Sequence, residues 1–272
     1  MIKCDLHNHS YYSDGVYSPK QVIDMAISAG LDVVSITDHD TVAGVEEAIA
    51  YGKEKGIKVL AGVELSSFSR SEIHILGYNM DYKNPFFIQC IENVKNLRRG
   101  RNDRIFERLD ELGVALDLEE LNNAKGNVGR MHIAKQMLKQ GYVKDVNEAF
   151  EKFLGTGGKA HIEAQRLSPL EAVKLIKRYG GVPVLAHPRR YHQDGVLNIL
   201  LEGLIKYGLM GIEAYYPSHN ETQVAYYKKL AADYNLIVTG GSDFHEYKNN
   251  VNVGVANAVL DDYSARVLNL LD

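Results

Sequence analysis

The chain has 272 residues, 45% of them hydrophobic, and a formal net charge of -4. That is enough apolar material for a sizeable core and excludes a disordered chain, while the weak negative charge gives no general attraction for nucleic acid, so an anionic ligand must meet a local basic patch. Cys4 and Cys90 are too few and too far apart for a disulfide framework, the N-terminus leaves no room for a signal peptide, and no apolar run reaches membrane-spanning length. These features predict a cytoplasmic protein with no membrane association and no stable protein partner.

In chain order the first β-rich run covers Ile2 to Leu6. Ser18-Pro19-Lys20-Gln21 then reads as a capping box with proline at the first helical position, opening a helix that stops at Gly30. Further β-rich runs cover Asp32 to Thr37, Lys58 to Leu65 and Ile73 to Tyr78. From about Asn84 to Gly157 the alternation breaks. Ile88, Ile91, Val94, Leu97, Ile105, Leu109 and Leu112 form a stripe at helical spacing around Arg98, Arg99, Arg101 and Arg104, and a second helix runs from near Gly129-Arg130 to Gly141. This stretch is expected to be an inserted helical subdomain, residues 84–156, within a domain made of residues 1–83 and 157–272. Ser168-Pro169-Leu170-Glu171 repeats the capping device, and β-rich runs follow at Val182 to Ala186, Gly211 to Tyr215 and Leu236 to Gly240. Strands alternating with helices specify a parallel α/β fold.

Six of the ten histidines sit in short polar clusters with acidic neighbours: His7 and His9 with Asp14, Asp38-His39-Asp40, Glu64, His74, His187, and Asp243 with His245. Imidazole with carboxylate suits Zn, Mn or Fe, and a shared carboxylate with separated imidazoles is what a multinuclear hydrolytic site requires. All of these except His74 fall at or just past the C-terminal end of a β-rich run, which points to a closed or nearly closed barrel with its site at one mouth. A basic helical insert after the fourth run could cover that mouth and hold a phosphate. Arg98, Arg101 and Arg130, with His132, are the candidates for that grip. Arg99 joins them by position, although it and Arg104 are expected to face solvent or pair with nearby acids. Asp40 is read either as a contact to the substrate and its leaving group or as the N-cap of the helix after Thr41. Glu213 is a candidate to orient a ligand, and His161, His192 and Ser218-His219 are expected to be surface or capping residues.

Asp5-Leu6-His7-Asn8-His9-Ser10, Tyr12-Ser13-Asp14-Gly15, Thr37-Asp38-His39-Asp40, Gly62-Val63-Glu64, His74-Ile75-Leu76-Gly77, Ala186-His187-Pro188 and Gly241-Ser242-Asp243-Phe244-His245 occur in order. Together they resemble the motif series of the PHP (polymerase and histidinol phosphatase) superfamily. The resemblance implies a distorted seven-stranded (β/α)7 barrel that binds two or three divalent ions (Mn, Fe or Zn) and hydrolyses phosphoesters. It places one ion on His7, His9, Glu64 and Asp243, a second on Glu64, His74 and His187, and a third on Asp14, His39 and His245, with Asp40, Glu64 and His187 in catalytic roles. The stretches from Asn96 to Arg104 and from Gly129 to Ala134 further resemble the subgroup of nucleoside 3',5'-bisphosphate phosphatases and 5'-3' exoribonucleases. The function this implies is removal of the 3'-phosphate from a small nucleotide. Exonucleolysis of short 5'-phosphorylated RNA, histidinol phosphate hydrolysis and a non-catalytic metal-stabilised binding module are the alternatives.

Overall fold

The computed structural model describes residues 2–69, 71–122, 128–163, 166–191, 196–247 and 251–271, without the side chains of Arg98 and Asn122. His192 and the Arg98 side chain therefore lie outside the described residues. Among these residues no helix is long and apolar enough to cross a membrane.

Every expected strand forms, and the elements follow as β1 (Ile2–Asp5), α1 (Pro19–Ser28), β2 (Val33–Ile36), α2 (Val45–Lys55), β3 (Lys58–Phe68) and β4 (Glu72–Tyr78). The helical stretch carries α3 (Pro85–Glu111), α4 (Leu118–Asn122), α5 (Arg130–Lys139) and α6 (Val146–Ala149), the last running on into a π-helical turn, Phe150–Leu154. Then come α7 (Pro169–Arg178), β5 (Val182–Leu185), α8 (Val196–Ile205), β6 (Gly211–Tyr215), α9 (Glu221–Asp233), β7 (Ile237–Gly240), β8 (Ala258–Leu260) and α10 (Asp262–Val267). Both serine-proline devices work as capping boxes, Ser18 with Gln21 and Ser168 with Glu171. The helix after Thr41 starts only at Val45, with Gly44 as its cap, and α9 is capped by Asn220 rather than by Ser218 or His219.

The strands form one sheet in the order β7-β6-β5-β4-β3-β2-β1-β8. The eighth strand, β8, is an addition to the expected seven and pairs antiparallel with Ile2, Lys3 and Cys4 of β1. Beyond it the chain after β7 takes over the same edge: Gly240 O accepts from Leu6 N at 3.0 Å, His7 O from Asp243 N at 2.9 Å and Phe244 O from His9 N at 2.8 Å. The sheet thus closes nearly into a barrel. Cys4, Leu6, Val33, Leu60, Leu76, Val184, Ile237 and Leu260 fill its interior, while alternate residues such as Val34, Ile75 and Leu185 face the surrounding helices.

β4 runs antiparallel to both β3 and β5. This reversal explains the position of His74 near the start of its strand, because the start of a downward strand lies at the same mouth as the ends of upward ones. It also explains the long α3. Phe87 and Ile91 at its beginning pack on the barrel, whereas Ile105 and Leu109 share a separate core with Ile133, Ala134 and Met137 of α5, extending to Ala149, Leu154 and Ala160. A 27-residue helix spans about 40 Å, enough to carry the chain from the foot of β4 back up to the mouth.

Gly100 lies inside α3, and a Cβ built there would meet nothing within 4 Å. Gly100→Ala is expected to stabilise the protein by roughly 0.5–1 kcal/mol through helix propensity alone. An unchanged or lower melting midpoint in urea would show that the glycine is needed for a bend.

Candidate metal centre

The candidate residues converge from seven places in the chain. His7 and His9 are two apart on the extension of β1, so both project to one side, and Asn8 between them points away to donate to the Ser35 and Asp5 carbonyls. The loop bearing Asp14 is fixed by buried Asp38, whose carboxylate accepts from Ser10 N (2.7 Å), Ser10 Oγ (2.6 Å) and Ser13 Oγ (2.6 Å). Glu64 projects from β3 and His74 from the start of β4. Ala186 faces the barrel interior, so regular alternation would turn His187 outward; a left-handed backbone at His187 (φ +28°) breaks the alternation and brings its imidazole to Glu64. Asp40 (φ +51°) and Asp243 (φ +52°) are left-handed too, a concentration of strained backbone typical of sites where geometry is imposed. Gly241 allows the closest approach here, since a Cβ on it would sit 2.4 Å from His7 N.

Glu64 is fully buried at the centre. Its Oε2 lies 3.3 Å from His7 Nε2, 3.2 Å from His9 Nε2 and 3.0 Å from His39 Nδ1, and its Oε1 lies 2.6 Å from His74 Nδ1 and 3.3 Å from His187 Nε2. Asp243 Oδ1 is 3.3 Å from His7 Nε2 and 3.1 Å from His9 Nε2. Asp14 stands 3.2 Å from His245, 3.6 Å from His9 and 3.8 Å from His39. Among the described residues, three groups have all their donor atoms within 4.8 Å of one another: His7, His9, Glu64 and Asp243; His9, Asp14, His39 and His245; and His39, Glu64 and His74. His39 and His9 thus each stand between two groups, and His187 approaches from the side of Glu64 that His74 occupies.

The donor set fits cations. Glu213, on the inner face of β6, places Oε1 2.9 Å from His7 Nδ1 and accepts from His187 N through Oε2 at 2.7 Å. A carboxylate on Nδ1 makes that nitrogen the donor and leaves Nε2 a bare lone pair aimed at the anionic oxygens of Glu64 and Asp243. His7 Nε2 and Glu64 Oε2 are buried without a hydrogen-bond partner. Lone pairs packed against carboxylates in a dry site are stable only around positive charge.

The titration behaviour agrees. Burial opposes protonation of the imidazoles, yet Glu213, Glu64 and Asp243 raise His7 well above its ordinary value, Asp243 and Glu64 raise His9 to about 10, and Glu64 raises His74 to about 9. Against the same burial, the facing imidazoles hold Glu64, Asp14 and Asp243 well below the carboxylate range. Burial wins at His39 and His187, which fall to about 4 and about 3.

The expected substrate-gripping residues are more dispersed. Arg130, in the first turn of α5, donates to Glu72 Oε2 at 2.6 Å and to Leu154 O at 3.3 Å. Arg101 is 2% exposed, with Nε and Nη2 on Asn102 Oδ1. Arg99 is exposed, Arg104 turns back to Gly100 O, and His132 Nδ1 accepts from Gly129 N at the start of α5. Asp40 is buried and accepts from Ser66 N at 2.8 Å, holding β3 instead of capping α2. Several contacts here went unread in the sequence. Arg166 shares Glu72 with Arg130, Tyr216 donates to Asp243 Oδ2 at 2.8 Å, and Arg190 reaches that oxygen at 3.7 Å. The pair Arg189-Arg190 directly after Ala186-His187-Pro188 was the available signal for Arg190.

A groove of about 610 Å³ opens from the cluster at Asp14, Asp243 and His245 and runs under Met131, Lys135 and Leu138 of α5, where Lys135 pairs with Glu246 at 3.3 Å. Helix α5 therefore lies across the mouth, with Arg130 on the His74 side and Lys135 on the His245 side.

Residues 5–166 match the family model described as PHP domain. A 5'-3' exoribonuclease of Haemophilus influenzae is 33% identical over 246 residues, covering 89% of this chain and 90% of the relative. A 3',5'-nucleoside bisphosphate phosphatase of Chromobacterium violaceum is 33% identical over 253 residues, covering 90% and 88%. The crystal structure of a protein from Bifidobacterium adolescentis, described as a metal-dependent phosphoesterase, superposes with a TM-score of 0.86 at 29% identity, covering 99% of this chain and 96% of that one. With the matched motifs on one barrel mouth and a donor set built for cations, the chain belongs to the PHP domain family and is a metal-dependent phosphoester hydrolase.

Proposed function

We propose that the protein removes the 3'-phosphate of nucleoside 3',5'-bisphosphates and releases the 5'-monophosphate. The observation that carries this reading is the arginine pair, Arg130 and Arg166, which meets on Glu72 with His74 Nε2 only 3.5 Å from that carboxylate. A second anionic group on the substrate would find two guanidiniums there, one carboxylate removed from the candidate metal centre. The two relatives' names, a nucleoside bisphosphate phosphatase and a 5'-3' exoribonuclease, run along the same line.

In this reading two or three Mn, Fe or Zn ions would be held by His7, His9, Glu64 and Asp243, by Glu64, His74 and His187, and by Asp14, His39 and His245. When bound they supply the charge neutralisation and the activated nucleophile that phosphoester hydrolysis needs. The chain's residues do the rest. Glu64 joins the groups, Glu213 fixes His7 and His187, and Tyr216 and Arg190 steady Asp243. His187, kept neutral by burial, serves as a ligand, so Asp40 is the group assigned to the leaving-group oxygen and its proton. Residues 84–156 act as a cap on the barrel formed by 1–83 and 157–272. Within the cap Arg130 is the main phosphate contact. The two cysteines are free, which suits a cytoplasmic enzyme acting on small nucleotides without a membrane or a stable protein partner.

A second reading, 5'-3' exonucleolysis of short RNA, is favoured by the groove beyond His245, which has room for a further nucleotide. Histidinol phosphate, with one phosphate, would leave the arginine pair unused.

The test is a panel with Mn²⁺: a nucleoside 3',5'-bisphosphate, 5'-phosphorylated and 5'-hydroxyl oligonucleotides, histidinol phosphate and p-nitrophenyl phosphate. Arg130→Ala should cost a charge-assisted hydrogen bond of about 1.5–3 kcal/mol, or about 10- to 100-fold in kcat/KM on the bisphosphate. The loss on p-nitrophenyl phosphate should be far smaller. Equal losses on both would mean that Arg130 supports only the fold or the metal site, and faster turnover of 5'-phosphorylated oligonucleotides would favour the exonuclease.

A further inference from the structure

Glu72 opens β4, and its carboxylate is shared three ways. Oε2 accepts from Arg130 Nη2 at 2.6 Å, Oε1 accepts from Arg166 Nη1, and Oε1 also lies 3.5 Å from His74 Nε2. The arginines arrive from different segments, Arg130 from α5 and Arg166 from the chain entering α7. Arg130 is also held from behind, by Leu154 O and by its guanidinium lying 5.8 Å from the Phe150 ring centre, so its place does not depend on Glu72 alone. The side chains of Arg130 and Arg166 are 21% and 12% exposed, while that of Glu72 is 34% exposed. The carboxylate is thus the open member of the triad and stands between the two cations and solvent. Two guanidiniums on one carboxylate leave the triad with a net positive charge.

A carboxylate and a phosphoryl group present similar pairs of oxygens to a guanidinium, and the phosphoryl group brings a third oxygen and up to one more negative charge. We propose that Glu72 is a specificity-determining residue, an internal anion seated where the substrate's second phosphoryl group binds, and that Arg130 and Arg166 exchange Glu72 for that group when substrate enters. The inference rests on the bisphosphate reading and adds a competitor to it. Glu72 keeps the two arginines in position and solvated against collapse onto the carboxylates of the metal centre. The same competition means that a weakly charged or neutral group does not displace it. A terminal phosphomonoester, with two charges, does.

Glu72→Gln keeps the shape of the side chain and removes the competing charge. Its expected result is a gain. Inorganic sulfate, titrated into the chelated protein by calorimetry, should bind about 3- to 10-fold tighter than to the unsubstituted chain, less than a whole charge-assisted hydrogen bond because the glutamine amide still competes for the guanidiniums. The ratio of kcat/KM for a nucleoside 3',5'-bisphosphate to that for the matching 3'-monophosphate should rise by a similar factor, carried by KM. In Glu72→Gln/Arg130→Ala the gain should vanish. Should Glu72→Gln fail to fold, Arg166→Gln in an otherwise unchanged chain must lower the same ratio. No gain in sulfate affinity, a gain that survives loss of Arg130, or an equal fall in kcat on both substrates overturns the proposal, the last because it would reduce Glu72 to a support for His74. An arginine-dependent gain in sulfate affinity in a protein that does not prefer the bisphosphate would uphold the exchange and reject the bisphosphate reading.

Discussion

Glu64→Gln is expected to leave a folded protein with at least about 10³-fold lower kcat and a reduced metal content, since a lost electrostatic contact at the reacting centre is worth several kcal/mol. Five imidazoles reach Glu64, His7, His9 and His39 at one oxygen and His74 and His187 at the other. The amide has almost the same volume, so packing survives. The substitution removes the charge at the centre of the donor set and turns an NH₂ group towards nitrogens whose lone pairs point at it. Elemental analysis with circular dichroism checks both halves of the prediction. Normal turnover with a full complement of metal would show that Glu64 is not the bridge.

The second large effect is a stabilisation by Mn²⁺ that grows with pH. In the chelated protein His7, His9 and His74 have raised pKa values, the last two about 10 and about 9. A group whose folded pKa is raised contributes stability that is fully present below the unfolded value of about 6.5 and is lost as pH climbs through the folded value. The chelated protein should therefore lose stability between about pH 6.5 and 10. Ion binding needs the same nitrogens deprotonated, so affinity rises over that window and adds stability by mass action. The two trends have opposite signs, and the difference in Tm between loaded and chelated protein should widen from pH 6 to pH 9. His39 and His187, lowered to about 4 and about 3, hold no proton in the folded chain across this window and add a small opposite slope only near its lower edge, where the unfolded imidazoles still lose theirs. A Tm difference that stayed constant or shrank with rising pH would mean that the imidazoles are not the ligands.

How much of this was legible follows from where each signal sits. His7, His9, His39, Glu64 and Asp243 stand beside the strands that carry them, so a local reading places them, and the two capping boxes are local by nature. The direction of β4 has no such signature. Its alternation of inward His74, Leu76 and Tyr78 is the same whichever way the strand runs, and only the pairing of Ser66 with His74 shows the reversal. β8 is three residues long, too short for periodicity to register. Glu72 and Arg166 are 94 positions apart, and Tyr216 and Asp243 are 27 apart. Contacts of that kind depend on the closed barrel and leave no pattern in the chain. Arg101 shows the converse: a basic run suggested an exposed grip, and the fold buried one of its members on Asn102.

The reversal of β4 has a mechanical side. Helix α3 is anchored to the barrel at Phe87 and Ile91 and carries a separate core at Ile105 and Leu109, so it works as a lever whose fulcrum is at the foot of the molecule. Over its length of about 40 Å, a tilt of roughly 5° at Pro85 displaces the far end by roughly 3.5 Å, the difference between a hydrogen bond made and one broken. Small repacking beneath Phe87, remote from every reacting atom, is thereby amplified into the distance between α5 and the barrel mouth.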